Sequence, residues 1–384
     1  SAMTQAHLPV KATEAMKSAL LPMLGCVTLL AFMGLAAGVS AAPPGEAWAK
    51  MGIHCLHLAI GLGAFLVLFS APVEGFRKIV PGLCFLVWLV LLGMKLIPGF
   101  GHESHGATRW VSVGPILLQP SVFLQCLWPA LLASWISKDP LRMSQPRELW
   151  RLMFLFAALM LPVLLQPDFG SILILAGATG MVLFFSGAPL NFLRQLIPLL
   201  LIALVLMLFL FDHVDARLAS FFGGETGYQA QHAEEAFAAG GLTGVGPGLG
   251  VMKNGHVPEG DTDYILALIA EEWGLVGTGL VWALFVCFTL FGLRAARRAE
   301  CRYGAILMAA AVLMVSMQAA LNMAVVTGLV PPKGLPLPFV SRGGSSIISL
   351  SALLGLAVRA ALERRRSKVP VSELIQWTES NALA

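Results

Sequence analysis

The residues equipped to act on a substrate sit in a few short polar motifs. Thr262-Asp263-Tyr264 follows Val257-Pro258-Glu259-Gly260-Asp261 and precedes an apolar run that starts at Ile265. A carboxylate at such a boundary has two uses. Asp261 or Thr262 can cap the helix, with Asp263 in its first turn, where the dipole favours the ionised form. Alternatively, Asp263 is a general base on a hydroxyl, its pKa raised when a bound apolar substrate desolvates it. Arg109, in Gly106-Ala107-Thr108-Arg109-Trp110, can hold a phosphate by two parallel hydrogen bonds. Asp168, in Gln166-Pro167-Asp168-Phe169-Gly170, either caps the next helix or faces a ligand. A third motif runs Lys333-Gly334-Leu335-Pro336-Leu337-Pro338-Phe339-Val340-Ser341-Arg342-Gly343-Gly344-Ser345-Ser346. It supplies two cations, and Ser345 and Ser346 suit a helix start.

The elements that carry these motifs follow from composition. The 384 residues are 57% hydrophobic and 12% charged, with net charge +4 and mean hydropathy +0.80. Soluble domains carry roughly 25% charge, so a water-soluble enzyme, a disordered chain and a basic nucleic-acid binder are excluded. A run of roughly 20 apolar residues crosses a bilayer as a helix. Ten such runs are predicted: 19–40, 51–70, 79–99, 120–136, 150–166, 168–187, 192–212, 264–292, 303–328 and 344–362. They do not alternate in hydrophobicity, which excludes a transmembrane barrel. The predicted fold class is an all-α polytopic membrane protein of ten transmembrane helices, the fifth and sixth joined by a tight turn at Pro167.

Most of the 25 Lys and Arg residues fall on one side if the N-terminus is inside. The positive-inside rule then makes both termini cytoplasmic. Residues 1–18 are read as a cytoplasmic tail, 19–362 as the membrane domain and 363–384 as a second tail. Ser1-Ala2 before Met3 reads as a tag scar, and the first span as retained, with no cleavable signal peptide. Arg364-Arg365-Arg366 is a lipid-headgroup anchor. With this orientation these polar motifs lie outside, in loops 100–119, 213–263 (between the seventh and eighth spans) and 329–343 and in the turn at Pro167.

Three further features belong to that reading. The run Gly240-Gly241-Leu242-Thr243-Gly244-Val245-Gly246-Pro247-Gly248-Leu249-Gly250 is either a tightly turned loop or a backbone cradle for a phosphate or sugar. It lacks the flanking strand and helix of a dinucleotide fingerprint, so no nucleotide is expected. Glu271-Glu272-Trp273-Gly274 interrupts an apolar stretch, which suggests a kink with the glutamates facing a polar cavity or an arginine. The six cysteines are scattered and read as small buried hydrophobes, without a disulfide framework or zinc site. Cations, carboxylates and glycines on one face suit a pyrophosphate-linked sugar on a lipid. A divalent cation, Mg²⁺ or Mn²⁺, is compatible with carboxylates and phosphates, although no spacing demands one.

In this order the motifs resemble the SEDS family of bacterial cell-wall proteins, over residues 80–362. The resemblance rests on Gly106–Trp110 with Gln119-Pro120-Ser121, on Gln166–Gly170, on Gly240–Gly246, on Pro258-Glu259 with Thr262-Asp263-Tyr264, and on Lys333-Gly334 through Ser346. Gly246-Pro247-Gly248 and Lys333-Gly334 look more like the division branch than the elongation branch. The resemblance implies ten spans and a peptidoglycan glycosyltransferase of the inner membrane, acting at the division septum on lipid II and the nascent glycan chain. It implies a class B penicillin-binding transpeptidase and other division membrane proteins as partners, and neither nucleotide nor nucleic acid. Asp263 matches the family's essential acid and is the expected base. Arg109, Asp168, Lys253, Glu259, Lys333, Ser341, Arg342 and Ser345 are the expected substrate-binding residues, with Arg109, Lys253 and Arg342 stabilising the leaving pyrophosphate.

The chain departs from the family pattern at Val122 and Gln125, where Glu and Lys are usual, and at Asp261, Tyr264 and Arg342, where His, Phe and Tyr are common. Two other classes share these residues. A lipid flippase predicts translocation that survives loss of Asp263, although transporter sites sit near the midplane. A non-catalytic scaffold that activates the transpeptidase predicts partner binding without polymer.

Overall fold

The computed structural model describes residues 8–40, 45, 47–97, 99–104, 107–113, 116–166, 168–198, 202, 228–251, 262–331 and 333–363. The helices are α1 (Leu8–Ser40), α2 (Ala47–Ser70), α3 (Val73–Leu96), α4 (Pro120–Lys138), α5 (Pro146–Leu165) and α6 (Phe169–Phe185). They continue as α7 (Tyr228–Gly240), α8 (Ile265–Arg298), α9 (Arg302–Val326) and α10 (Gly344–Ala361). Among the described residues, eight helices are long and apolar enough to cross a membrane, and α6 is a shorter apolar one. The protein is therefore an all-α polytopic membrane protein. Residues 190–198 are helical, and the rest of the predicted seventh span lies outside the described residues.

Helix starts follow local chemistry. Proline occupies the first turn of α4 and α5, where its missing N–H costs nothing. Asp168 caps α6, as its position after a proline predicts, and accepts from the Ser171 amide. Three departures from the sequence reading are local. α1 begins at Leu8, inside the predicted tail. Loop 100–119 forms an antiparallel meander of β1 (His102–Ser104), β2 (Ala107–Val113) and β3 (Ile116–Leu118), with Val111 opposite Leu118. Loop 213–263 contains α7, whose Ala233 and Ala236 are wholly buried.

Burial separates the bundle into a centre and a periphery. The apolar windows of α4 and α10 are 72% buried and that of α9 61%, against 11% for α2. Large apolar side chains such as Leu62, Val67, Phe85 and Phe154 are exposed. On a water-soluble protein, patches of this kind mark interaction surfaces; here they form a lipid-facing surface. Inside, the Trp128 indole on α4 donates to the Thr179 hydroxyl on α6 at 2.7 Å. The three described buried thiols, Cys26, Cys84 and Cys126, are free.

α8 is broken at Gly274, whose φ of 65° and ψ of −160° suit glycine alone. A break inside an apolar helix strands backbone groups that lipid cannot satisfy. The glycine-rich run repairs it. Val245 and Gly246 amides donate to the carbonyls of Glu271 and Glu272 at 2.9 and 3.0 Å. In return, the Leu275 and Val276 amides donate to the carbonyls of Gly241 and Leu242 at 3.0 and 3.2 Å. The kink predicted from Gly274 is present, and both glutamates bind within the protein. Glu271 accepts from the Val251 amide at 2.6 Å, and Glu272 from the Ser40 hydroxyl at the end of α1. Ser40 in turn accepts from the Gly248 amide. The amides of residues 244, 245, 246, 248, 249 and 251 are all committed within the protein, so this run is a structural plug rather than a phosphate cradle.

Contact in the plug leaves no space for a side chain at Gly244, where a Cβ would lie 2.1 Å from the Glu272 carbonyl oxygen at φ +81°. Gly244→Ala is therefore expected to destabilise the protein by at least about 1–2 kcal/mol. Gly180→Ala, on α6 with nothing within 4 Å of its Cβ position, is the neutral comparison. Thermal unfolding in detergent should show a lower midpoint for Gly244→Ala alone.

Candidate functional site

The polar motifs converge at one end of the bundle, where α1, α3, α5 and α9 finish and α2, α4, α6, α8 and α10 begin. Residues 333–343 form a strap across that end, leading into α10. Backbone turns and side-chain donors hold it. The Leu337 amide donates to the Ser341 hydroxyl at 2.8 Å, and the Ser341 amide to the Leu337 carbonyl at 2.9 Å. Phe339, 2% exposed, takes a φ of 63° at the turn. A non-glycine residue in that region is strained, and such strain persists where surrounding packing over-determines it.

The serines at the start of α10 do not cap it; Gly343 is the N-cap and no side chain closes the turn. They tie helices together instead. The Gln119 amide donates to the Ser345 hydroxyl at 3.1 Å, and Gln318 Nε2 to the Ser346 hydroxyl at 3.0 Å.

Asp168 is the centre of one cluster. Its carboxylate, 5% exposed, accepts from Ser121 at 3.0 Å, Ser171 at 2.6 Å and Gln119 Nε2 at 3.2 Å. It lies in the turn between α5 and α6. Burial there works to raise its pKa, but Lys333, the Ser171 hydroxyl and Arg109 together outweigh burial and lower it. The acid is held ionised and fully ligated, which makes it an anchor rather than a base. Lys333 passes over the Phe169 ring at 5.2 Å from its centroid. Arg109, on β2, donates through Nε to the Gln166 carbonyl at 3.1 Å. Gln166 is itself buried and donates to the Leu91 carbonyl at 3.0 Å.

Asp263 forms the other half of the site. α8 starts at Ile265 with Tyr264 as its N-cap, so Asp263 precedes the helix instead of sitting in its first turn. Its carboxylate lies against the strap: a Cβ on Gly334 would fall 2.7 Å from Asp263 Oδ2. Asp263 thus lies against the residue that follows Lys333, and Lys333 and Arg109 both act on the Asp168 charge. Arg342, at the far end of the strap, lies elsewhere, lining a small cavity with Lys50 and His54. Ser341 stabilises the strap's turn from a buried position. Lys253, Glu259 and Asp261 lie outside the described residues. The structure therefore joins Asp263, Lys333, Asp168, Arg109 and Ser345 through a network and sets Arg342 apart.

Residues that were not singled out from the sequence complete this network. Asn322 and Gln318, one helical turn apart on α9, are 0% and 1% exposed and both donate to the strap. Their signal was present as two amides at i and i+4 spacing in an apolar span. Val122 and Gln125 are both buried on the opening turns of α4. They place two neutral side chains where Glu and Lys are usual in the family pattern, and so avoid burying charge. Among the described residues no three His, Cys, Asp or Glu side chains stand together as a metal site.

Fold and site together define a polytopic helical membrane protein with an acid-and-cation cluster built by loops at one end. The chain belongs to the cell cycle protein family of FtsW, RodA and SpoVE, whose profile matches residues 15–366. This bears out the SEDS resemblance. The probable peptidoglycan glycosyltransferase FtsW of Pseudomonas fluorescens (strain SBW25) is 33% identical over 387 residues, 94% of this chain and 91% of the relative. That of Synechocystis sp. (strain ATCC 27184 / PCC 6803 / Kazusa) is 35% identical over 323 residues, 82% of this chain and 80% of the relative. A chain from a peptidoglycan synthase complex that coordinates polymerization and crosslinking matches with TM-score 0.73 at 22% identity, covering 90% of this chain and 98% of that one. Thermus thermophilus RodA, a rod shape determining protein, matches with TM-score 0.65 at 24% identity, covering 90% and 97%. These two likenesses show the fold.

Removal of the Asp168 anchor should cost stability. Asp168→Ala deletes a helix cap, worth roughly 0.5–2 kcal/mol, and leaves the hydroxyls of Ser121 and Ser171 without this acceptor. A lower melting midpoint than wild type in the same detergent is the expected result.

Proposed function

We propose that this chain is a peptidoglycan glycosyltransferase that polymerises lipid II into glycan strands during cell division. The observation that carries the reading is the placement of Asp263 against Gly334, beside Lys333, in a member of a family whose curated relatives are named for this activity. In the proposed reaction, Asp263 takes the proton from the GlcNAc 4-hydroxyl of an acceptor lipid II. The oxygen attacks the anomeric carbon of MurNAc at the end of the growing chain. The bond to pyrophosphate breaks with inversion, and undecaprenyl pyrophosphate leaves with the electron pair. Lys333 and Arg109 oppose the charge that develops on the phosphates, and Asp168 holds both cations in place. Lys253, Glu259, Ser341, Arg342 and Ser345 complete the proposed binding residues, with Ser341 and Ser345 acting through the strap they secure. A divalent cation, Mg²⁺ or Mn²⁺, belongs to the proposal as a companion of the substrate phosphates.

The proposed setting is the cytoplasmic (inner) membrane at the septum, with both termini inside and the site outside. The proposed partners are a class B penicillin-binding transpeptidase and other division membrane proteins. All the described site residues lie at one end of the bundle, which favours a polymerase over a flippase, whose site would sit near the midplane.

The test is polymerisation of labelled lipid II by the purified full chain with Mg²⁺ or Mn²⁺, with and without the cognate transpeptidase. Wild type should yield glycan, and a folded Asp263→Asn should lose at least about 10²-fold in rate, as expected for loss of a general base. Polymer from both would remove Asp263 as base and point to Glu259 or Asp261. No polymer from wild type, even with its partner, would favour the scaffold or flippase. Gly334→Ala, which forces a methyl to 2.7 Å from Asp263 Oδ2, should lower the rate while lipid II binding persists in a filter-binding assay.

A further inference from the structure

Asn322 sits on α9, away from every polar motif in the sequence, yet it is wholly buried beside the site. Its single amide nitrogen serves two segments. It donates to the backbone carbonyl of Asp263 at 2.8 Å and to that of Leu335 at 2.5 Å. An asparagine amide has two hydrogens, and both are spent in holding these two peptides together. One turn earlier, Gln318 bridges the strap and the start of α10, donating to the Pro336 carbonyl at 2.9 Å and the Ser346 hydroxyl at 3.0 Å. Gln318 therefore fixes the strap to α9, and Asn322 fixes Asp263 to the strap.

The consequence for Asp263 is geometric. The Asp263 carboxylate sits where a Cβ on Gly334 would meet it, and Gly334 is the residue directly before Leu335. Asn322 grips the main chain on both sides of that contact. A buried polar side chain in a membrane bundle is costly, and here it joins the two loops through their backbone carbonyls.

We infer that Asn322 is a positioning residue for the transfer reaction, clamping the Asp263 peptide to the Leu335 peptide so that the carboxylate stays registered on Gly334 and beside Lys333. The inference rests on the reading of Asp263 as the base. A displacement of about 1 Å at a reacting group can cost about 10²-fold in rate. The effect should fall on turnover, because Asn322 touches the peptide of the base and none of the proposed phosphate-binding side chains.

The experiment measures kcat and KM for labelled lipid II on the full chain, together with its transpeptidase if wild type requires it. The variants are Asn322→Leu, Asn322→Asp and Asp263→Asn, each checked for folding by thermal unfolding. Asn322→Asp keeps the size of the side chain and removes the amide donor. Both Asn322 variants are expected to lower kcat by about 10-fold to 10²-fold, with KM within about twofold of wild type. A purely structural residue would not give that split. The inference is overturned if a folded Asn322 variant keeps kcat within twofold, if KM rises while kcat holds, or if neither variant folds. Loss of activity in Asp263→Asn with kcat kept in the Asn322 variants would sink this inference alone. Wild-type activity in Asp263→Asn would instead remove the reading beneath it.

Discussion

Every departure from regular helix in this protein has to be repaired by the protein itself, because a bilayer interior supplies no water to hydrogen-bond a stranded amide or carbonyl. The break in α8 at Gly274 is the clearest case. Four backbone hydrogen bonds pass between the broken helix and residues 241–246, two in each direction. The glutamates that follow the buried first half of α8 then bind the rest of the loop and the end of α1. The break and its repair hold three segments distant in sequence as one unit, and that unit delivers Asp263 at the head of α8.

The same requirement shapes the strap. A proline-rich segment cannot satisfy itself as a helix or a sheet, so its carbonyls are met by amides from α9 and its serine and backbone turns close the remainder. Proline also limits its conformations before folding, which lowers the entropy cost of holding an irregular path. The result is a rigid irregular surface, suited to holding charged side chains at set positions. Lys333 lies at its start and acts on Asp168, and Arg342 near its end lines a small cavity with Lys50 and His54.

The two acids of the site differ in burial. Asp168 accepts hydrogen bonds from two serines and a glutamine and is flanked by cations, a set that stabilises its charge. Asp263 rests on backbone at the head of a helix and is only partly buried. A ligated, buried carboxylate suits an anchor, and the more accessible Asp263 carries the proposed role of base.

Hydropathy by itself determined the class of this protein, because runs of apolar residues long enough to cross a bilayer admit few alternatives to a helix. It placed the ends of most spans within a few residues, and Asp168 after Pro167 was legible as a cap because capping is a local geometry. The kink at Gly274 was legible for the same reason. What the glutamates beside it would touch was not, since the Ser40 hydroxyl lies 232 residues away in sequence. Ser345 and Ser346 carried a capping signature and became cross-ties, because Gln119 arrives from the entry to α4 and Gln318 from α9. Asp263 read as a first-turn residue and stands before the helix, its carbonyl held by Asn322. Local patterns fix what a segment can be; which distant donor meets which acceptor is decided only when the helices pack.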